Sequence, residues 1–147
     1  MAALKRVLAV YLLGIALLTG INWVATPLYH DGTANYWTWE ILNWFMAVGV
    51  IIVLVVNSVR KRRFCRRDDG DNTITREYLE INLAFAASIV LTLWYFWNWF
   101  ASLNPGSEPE VVGLIHLEWW AFINPIGVLV YAYTGAHLWR TAAGGQG

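Results

Sequence analysis

Two histidines and several carboxylates in this chain have side chains that could bind a metal ion. His30 is followed directly by Asp31, and His116 is followed two residues later by Glu118. Imidazole nitrogens and carboxylate oxygens bind copper and zinc, so these four residues form a candidate metal site, with Glu40 as a further ligand. The spacing matches no metal-binding motif, because His116 and Glu118 project from different sides of a helix. The metal site is therefore an alternative hypothesis.

A second pattern combines asparagine with tryptophan in the apolar parts of the chain. It occurs as Asn22-Trp23, Asn43-Trp44 and Asn98-Trp99, and a fourth apolar run carries Asn124-Pro125. A carboxamide in lipid is costly unless it is hydrogen-bonded, so these side chains should face one another or a partner. Two interpretations remain open: a hydrogen-bonded layer between helices, or a polar pocket just beneath the membrane surface.

The tryptophans crowd toward the same side as these asparagines. Of the ten tryptophans, only Trp139 belongs to the opposite side. Indoles favour the headgroup level of a membrane, but that preference does not readily explain Trp44 and Trp94, which lie more than a turn inside the estimated boundary. The sequence thus suggests a lipid- or quinone-like ligand bound among Trp44, Trp94, Trp97 and Asn98. Bound lipid, copper and zinc are the cofactors considered.

Four apolar runs must position these residues, at about 7–26, 39–59, 79–103 and 113–139. The chain is 58% apolar, with a mean hydropathy of +0.45, which is too hydrophobic for a water-soluble domain of this length. Each run reaches the roughly 20 residues that cross a hydrocarbon core, and lipid requires such segments to be helical. The prediction is an all-α integral membrane protein with four transmembrane helices, the first of which ends at Pro27.

The basic residues predict which side of the membrane each connection occupies. Lys5 and Arg6 precede the first run, Arg140 follows the fourth, and the other basic residues lie between the second and third runs, in the segment 60–76. The positive-inside rule then predicts an antiparallel up-down bundle in the cell membrane (plasma or inner) with both termini in the cytoplasm. The first run is expected to be a retained anchor, because the candidate cleavage sites have bulky Trp23 or Leu18 at the third position before the cut.

The cytoplasmic loop 60–78 is predicted to contact anionic lipid. Its basic run adjoins a membrane exit and is followed by acidic residues, so nucleic-acid binding is not expected. Near this loop, Glu80 is expected to pair with His137 and Arg140 at the end of the fourth run. Cys65 is the only cysteine, which excludes an intrachain disulfide. The tail 141–147 is expected to be mobile.

The sequence contains no catalytic motif, and no ionisable residue lies near the expected bilayer centre at Leu17, Val50, Leu91 and Gly127. An ion-coupled transporter is therefore disfavoured, since such proteins place ionisable groups near the midplane. The large aromatic surface predicts an accessory or scaffold subunit of a larger membrane complex, for example a membrane oxidoreductase such as an oxidase or monooxygenase. The alternatives are the metal-binding module and the binder of a lipid- or quinone-like ligand.

Overall fold

The four apolar runs form four long helices. The structure, a computed structural model, describes residues 2–29, 37–67, 75–104 and 110–144, and only the backbone of residues 67 and 110–117. The helices are α1 (Ala2–Tyr29), α2 (Trp37–Arg67), α3 (Arg76–Leu103) and α4 (Glu110–Ala143). The all-α prediction is confirmed.

Three of these helices are long and apolar enough to cross a membrane: Ala2–Tyr29, Trp37–Arg66 and Arg76–Leu103. Their outward surface is apolar, as lipid-facing helices require, with Leu83 72% and Leu17 63% exposed. The fourth helix has 34 residues and contains Asn124, Pro125 and His137, and its described part is not among these three. A fourth transmembrane span and the up-down topology remain predictions.

Helix packing places α1 against α4 and α2 against α3, while α3 also contacts α4. The buried core between them includes Leu12, Met46, Leu91 and Tyr131. Helices α1 and α4 approach closely at Gly135, where a Cβ atom would lie 3.2 Å from the Ala9 carbonyl oxygen and 3.0 Å from Leu13 Cγ. A side chain at position 135 would push these two helices apart.

The end of α1 differs from the sequence prediction. Pro27 lies inside α1, which continues to Tyr29, so the predicted stop at Pro27 is wrong. Pro27 removes the backbone donor that would bond to the Trp23 carbonyl, and the side chains next to it form hydrogen bonds to Asn22. Thr26 Oγ1 donates to the Asn22 carbonyl at 2.7 Å, and the Tyr29 hydroxyl donates to Asn22 Oδ1 at 2.7 Å. These bonds hold the last turn together.

Three tyrosines, one from each of the other helices, donate hydrogen bonds to a single turn of α2. The Tyr11 hydroxyl reaches the Phe45 carbonyl at 2.9 Å, and the Tyr131 hydroxyl reaches the Met46 carbonyl at 3.1 Å. The Tyr95 hydroxyl donates to the carbonyl of Asn43. A phenol in an apolar interior needs a partner, and a helix carbonyl can accept a second bond. This turn of α2 is therefore fixed by all three neighbouring helices.

A buried polar layer joins α2, α3 and α4 further along the bundle, and we call it the inner layer. The Asn57 amide nitrogen donates to Ser88 Oγ at 2.8 Å and to Thr134 Oγ1 at 3.0 Å. Ser88 Oγ in turn donates to the Ala84 carbonyl at 2.7 Å. Asn57 is 2% exposed, so the amide donors are shielded from solvent and satisfied by protein.

The predicted pairing of Glu80 is also different in the structure. Glu80 accepts from Arg76 Nε at 2.9 Å, one turn earlier in the same helix. Arg140 Nε instead donates to the Ala136 carbonyl at 3.3 Å within α4. The predicted pairing with the end of α4 was thus wrong, because the i,i+4 spacing in α3 already provides a cationic partner close to water.

Candidate functional site

A cavity of about 600 Å³ lies at the end of the bundle where α1 and α3 finish and α2 begins, and we call it the outer cavity. All four helices contribute to its walls. Five of the lining side chains are indoles, namely Trp23, Trp39, Trp44, Trp99 and Trp120. The other lining residues include two asparagines and one carboxylate, namely Asn43, Asn124 and Glu40. The cavity therefore combines a largely aromatic wall with a few polar groups.

One face of α2 supplies the most varied wall of the outer cavity. Trp39, Glu40, Asn43 and Trp44 all line it. Residues spaced by three to five positions share one side of a helix, which explains why this short segment can present all four side chains together. The Trp44 ring meets Trp99 of α3 edge-on, with 4.8 Å between ring centroids. That contact connects the α2 wall to the α3 wall.

Tyr95 lies behind two of the indoles. Its ring is 5.6 Å from Trp120 in an edge-on arrangement and 5.9 Å from Trp99, measured between centroids. Tyr95 is fully buried, and its hydroxyl donates to the Asn43 carbonyl. The same tyrosine thus positions two aromatic walls and the backbone of one cavity asparagine. Such edge-on aromatic contacts add to packing beyond the area that they bury.

The two cavity asparagines are buried but incompletely hydrogen-bonded. Asn43 is 8% exposed and Asn124 is 3% exposed. Neither Asn43 Oδ1 nor Asn124 Oδ1 has a hydrogen-bond partner in the described parts of the chain. These residues were expected to face one another in a hydrogen-bonded layer or to line a polar pocket. Because these two oxygens lack a partner in the described residues, they argue against a complete hydrogen-bonded layer and favour the pocket.

The side of the cavity between α1 and α2 is held by a hydrogen-bond network. Trp39 Nε1 donates to Thr26 Oγ1 at 3.1 Å, and the hydroxyls of Tyr29 and Thr38 lie 3.2 Å apart. Tyr29 also donates to Asn22 Oδ1, as described above. Because the Trp39 N–H is already used, this indole presents its apolar ring rather than its donor to the cavity.

The ligand site predicted from the sequence overlaps the outer cavity only in part. Trp44 lines the cavity, whereas Trp94 packs against Trp119 at 5.2 Å between centroids. Trp97 is 53% exposed and is not among the residues that line the cavity. Asn98 is fully buried in the helix next to the cavity wall.

Sequence reasoning left several lining residues out of the predicted ligand set, namely Trp23, Trp39, Asn43, Trp99, Trp120 and Asn124. The recurring Asn-Trp pattern contained four of these residues and was the available signal. Spacing along one chain did not show which members of the pattern share a cavity, since that depends on how the helices are rotated about their axes.

The predicted metal ligands lie mostly beyond what the structure describes. His30 and Asp31 are outside the described residues, and the side chain of His116 is not described. Glu118 is described and exposed. Within the described residues, no group of three or more histidine, cysteine, aspartate or glutamate side chains could hold a metal ion. The hypothesis that His30, Asp31, His116 and Glu118 bind a metal therefore remains a prediction.

The outer cavity is suited to binding. Its apolar walls can contact hydrocarbon or an aromatic group, and its asparagines carry amide oxygens that have no partner in the described residues. Glu40 is the one charged side chain among the described lining residues. No protein-family model, no curated protein and no solved structure matches this chain.

Proposed function

We propose that this protein is an integral membrane protein that binds an amphipathic ligand in the outer cavity. The polar end of the ligand would donate hydrogen bonds to Asn43 and Asn124, and its apolar part would contact the indoles. The observation that carries the proposal is the pair of buried acceptors, Asn43 Oδ1 and Asn124 Oδ1, which have no partner in the described residues although both line the cavity.

Physical cost supports this reading of the two acceptors. A buried polar atom without a hydrogen bond destabilises the folded state by about 1–3 kcal/mol. Two such atoms in one cavity should therefore lower the free energy of unfolding substantially. Most buried polar groups in proteins are satisfied, so two unpaired acceptors on residues that line a cavity mark a place where a ligand could form hydrogen bonds. A ligand that donates from a hydroxyl or an N–H group would remove the cost.

Size and hydrogen-bonding character narrow the ligand class. A volume of about 600 Å³ lies within the range of about 300–1,000 Å³ that is usual for small-molecule sites. The carbonyl oxygens of an oxidised quinone only accept hydrogen bonds, so they cannot pair with amide oxygens. A lipid headgroup or a reduced, hydroxyl-bearing quinol fits the cavity better than a quinone.

The proposal includes the membrane arrangement predicted from the sequence. We propose that α4 is a fourth transmembrane span and that both termini are cytoplasmic, in the plasma or inner membrane. The absence of basic residues from 7–59 and 77–139 supports this sidedness through the positive-inside rule. Under this arrangement the outer cavity opens at the non-cytoplasmic half of the bilayer, and the basic residues 60–67 contact anionic lipid on the other side.

A second candidate function is the accessory or scaffold subunit predicted from the sequence. It is favoured by aromatic side chains of α3 outside the cavity, because Trp97 is 53% and Phe100 is 57% exposed. Either lipid or a partner helix, including a subunit of a membrane oxidoreductase, could cover such a surface. Extraction in a mild detergent followed by native mass measurement tests this idea. A free monomer alone would contradict it.

The cavity proposal is tested by filling the cavity and measuring retained ligand. Ala121 lines the outer cavity, so Ala121→Phe should occupy part of its volume. Ala86 of α3 is also exposed but lines no cavity described above, which makes Ala86→Phe a matched control. Each protein is purified in detergent, washed free of loose lipid and extracted with organic solvent. Mass spectrometry then measures moles of amphiphile per mole of protein.

The expected result is close to one tightly held amphiphile per chain in the wild type and in Ala86→Phe. Ala121→Phe should hold several-fold less. If all three proteins retained the same amount, the ligand would lie outside the outer cavity. If the wild type retained none, the proposed function would be wrong.

A further inference from the structure

The outer cavity has a distinct electrostatic character that bears on the identity of its ligand. Glu40 lines the cavity, and it forms no ion pair within the described residues. The sequence contains no lysine or arginine in 7–59 or in 77–139, so the helix segments that build the cavity carry no basic residue. A carboxylate without a protein cation, at the edge of a partly buried site, favours a cationic group on the ligand.

Three residues that carry acceptors line the cavity, namely Glu40, Asn43 and Asn124. Glu40 and Asn43 are three residues apart in α2, which makes their side chains neighbours on the helix surface. Asn124 belongs to α4 and is 3% exposed, and the amide oxygens of both asparagines are buried without a partner in the described residues. A primary ammonium group has three N–H donors and one positive charge, which matches one carboxylate and two amide oxygens once the asparagine side chains rotate toward the ligand.

The aromatic walls agree with the same ligand chemistry. Trp39 and Trp44 lie on the same face of α2 as Glu40 and Asn43, and Trp99 meets Trp44 edge-on. The face of an indole attracts a nearby cation, and tryptophan is the strongest of the aromatic side chains in this respect. Aromatic rings beside a carboxylate are therefore favourable surroundings for an amine in a site of reduced water content.

We propose that the outer cavity selects amphiphiles whose polar end is a primary ammonium group, such as the headgroup of phosphatidylethanolamine. This inference rests on the proposed function and names the ligand class of the same cavity. A quaternary ammonium group carries the charge but has no N–H, so it cannot satisfy Asn43 and Asn124. An anionic headgroup without an amine meets Glu40 with no basic residue to balance it.

The test compares two lipids that differ in their amine. Protein stripped of endogenous lipid is titrated with dioleoyl phosphatidylethanolamine or dioleoyl phosphatidylcholine, and native mass spectrometry measures binding. These lipids share phosphate, glycerol and chains, but only the first has N–H donors. Dioleoyl phosphatidylglycerol serves as the anionic lipid. Loss of a charged hydrogen bond predicts about tenfold weaker binding of phosphatidylcholine in the cavity, and phosphatidylglycerol should bind there most weakly. Binding in the cavity is counted as the part that Ala121→Phe removes, because the basic residues 60–67 are proposed to contact anionic lipid elsewhere.

Two substitutions assign the preference to the cavity. Glu40→Gln keeps the size of the side chain but removes its charge, so the tenfold preference for phosphatidylethanolamine should fall to about twofold or less. Glu118→Gln removes an exposed acid that does not line the cavity, and it should leave the preference unchanged. Equal losses in both variants would show that the general surface charge selects the lipid, which would overturn the inference.

The outcomes separate this inference from the proposed function. If the wild type bound all three lipids with equal affinity at the site that Ala121→Phe removes, the cavity would be a ligand site but the ammonium preference would be wrong. If none of the three lipids bound at that site, the ammonium inference would fail, whereas the proposed function fails only if the wild type also retains no amphiphile in the extraction measurement. Free ethanolamine, added at the lipid concentration, should not displace phosphatidylethanolamine, because it has no apolar part. Displacement would overturn a lipid as the source of the ammonium group.

Discussion

The inner layer and the outer cavity use the same amide side chain in opposite ways. Asn57 donates to Ser88 and Thr134, and its donors are satisfied by protein alone. Asn43 and Asn124 are almost as deeply buried, yet their amide oxygens have no partner within the described residues. Burial alone therefore does not reveal the role of an asparagine. The hydrogen bonds that its side chain makes or lacks distinguish a structural contact from a candidate binding site.

Helix packing also differs between two regions of the bundle. Where α1 meets α4, Gly135 allows the helices to approach so closely that a methyl group would contact the Ala9 carbonyl oxygen. The outer end of the bundle leaves a cavity of about 600 Å³ between large indoles. Small residues permit close helix contacts, whereas bulky rings hold helices apart. The contact at Gly135 and the outer cavity are therefore built from side chains of opposite size.

The largest expected effect comes from crowding the close contact at Gly135. Gly135→Val should lower the free energy of unfolding by about 3 kcal/mol, since overpacking at a backbone contact requires the helices to move. The control is Gly14→Val, because a Cβ at Gly14 would meet no atom within 4 Å. Reversible denaturation in mixed micelles measures both. A similar loss in the two variants would contradict the packing difference.

The next effect tests the inner layer itself. Asn57→Leu removes the donors to Ser88 and Thr134, and we expect the free energy of unfolding to fall by about 2 kcal/mol, since interhelical hydrogen bonds contribute roughly 0.6–2 kcal/mol each. Ligand retention should remain unchanged because the layer lies away from the outer cavity. The same denaturation and lipid-extraction measurements check both expectations. Loss of ligand in this variant would mean that the two regions are coupled.

Removing the Tyr95 hydroxyl, which lies behind the cavity wall, should have a smaller effect on the free energy of unfolding. Tyr95→Phe deletes the bond to the Asn43 carbonyl and keeps the ring against Trp99 and Trp120, so we expect a loss of about 1 kcal/mol in the free energy of unfolding. Ligand binding should weaken slightly as the turn of α2 loosens. Thermal denaturation followed by circular dichroism measures the stability. An unchanged unfolding midpoint would show that this bond does not anchor α2.

The last variant, Asn124→Leu, should not destabilise the protein. Its amide oxygen makes no hydrogen bond to the described residues, so replacing the side chain with an apolar one should leave the free energy of unfolding of ligand-free protein unchanged or raise it by up to about 1–3 kcal/mol. Ligand affinity should nevertheless fall about tenfold, because one acceptor is lost. A loss of stability as large as that of Asn57→Leu would remove the distinction between the two regions.

Much of the architecture could be predicted from hydropathy and turn residues. Four apolar runs became four helices, and Asn104 caps the end of α3 as its position before Pro105 and Gly106 indicates. The predicted stop at Pro27 failed because α1 continues for two residues past the proline, and Thr26 and Tyr29 bond to Asn22 across this last turn. Local sequence rules do not include such compensating bonds between a helix and its own side chains.

The site was harder to predict than the fold. The sequence singled out Asn43 and Asn124 as costly in lipid, but it could not show that Tyr95 would bind the Asn43 backbone or that the Asn43 amide oxygen would have no partner in the described residues. Asn57 was missed as a structural residue, because its partners Ser88 and Thr134 are 31 and 77 positions away. Helix rotation decides which polar residues meet, and neither composition nor periodicity determines that rotation in an all-apolar helix.

The most direct test of the contrast is a nuclear magnetic resonance titration that observes the asparagine side-chain amides. The 15N–1H signals of Asn43, Asn124 and Asn57 are assigned with Asn→Leu variants, and lipid-stripped protein in micelles is titrated with phosphatidylethanolamine. If the cavity binds this lipid, the Asn43 and Asn124 signals will shift and saturate together while the Asn57 signals stay in place. Unmoved signals from Asn43 and Asn124, or equal shifts of all three residues, would contradict a ligand site in the outer cavity.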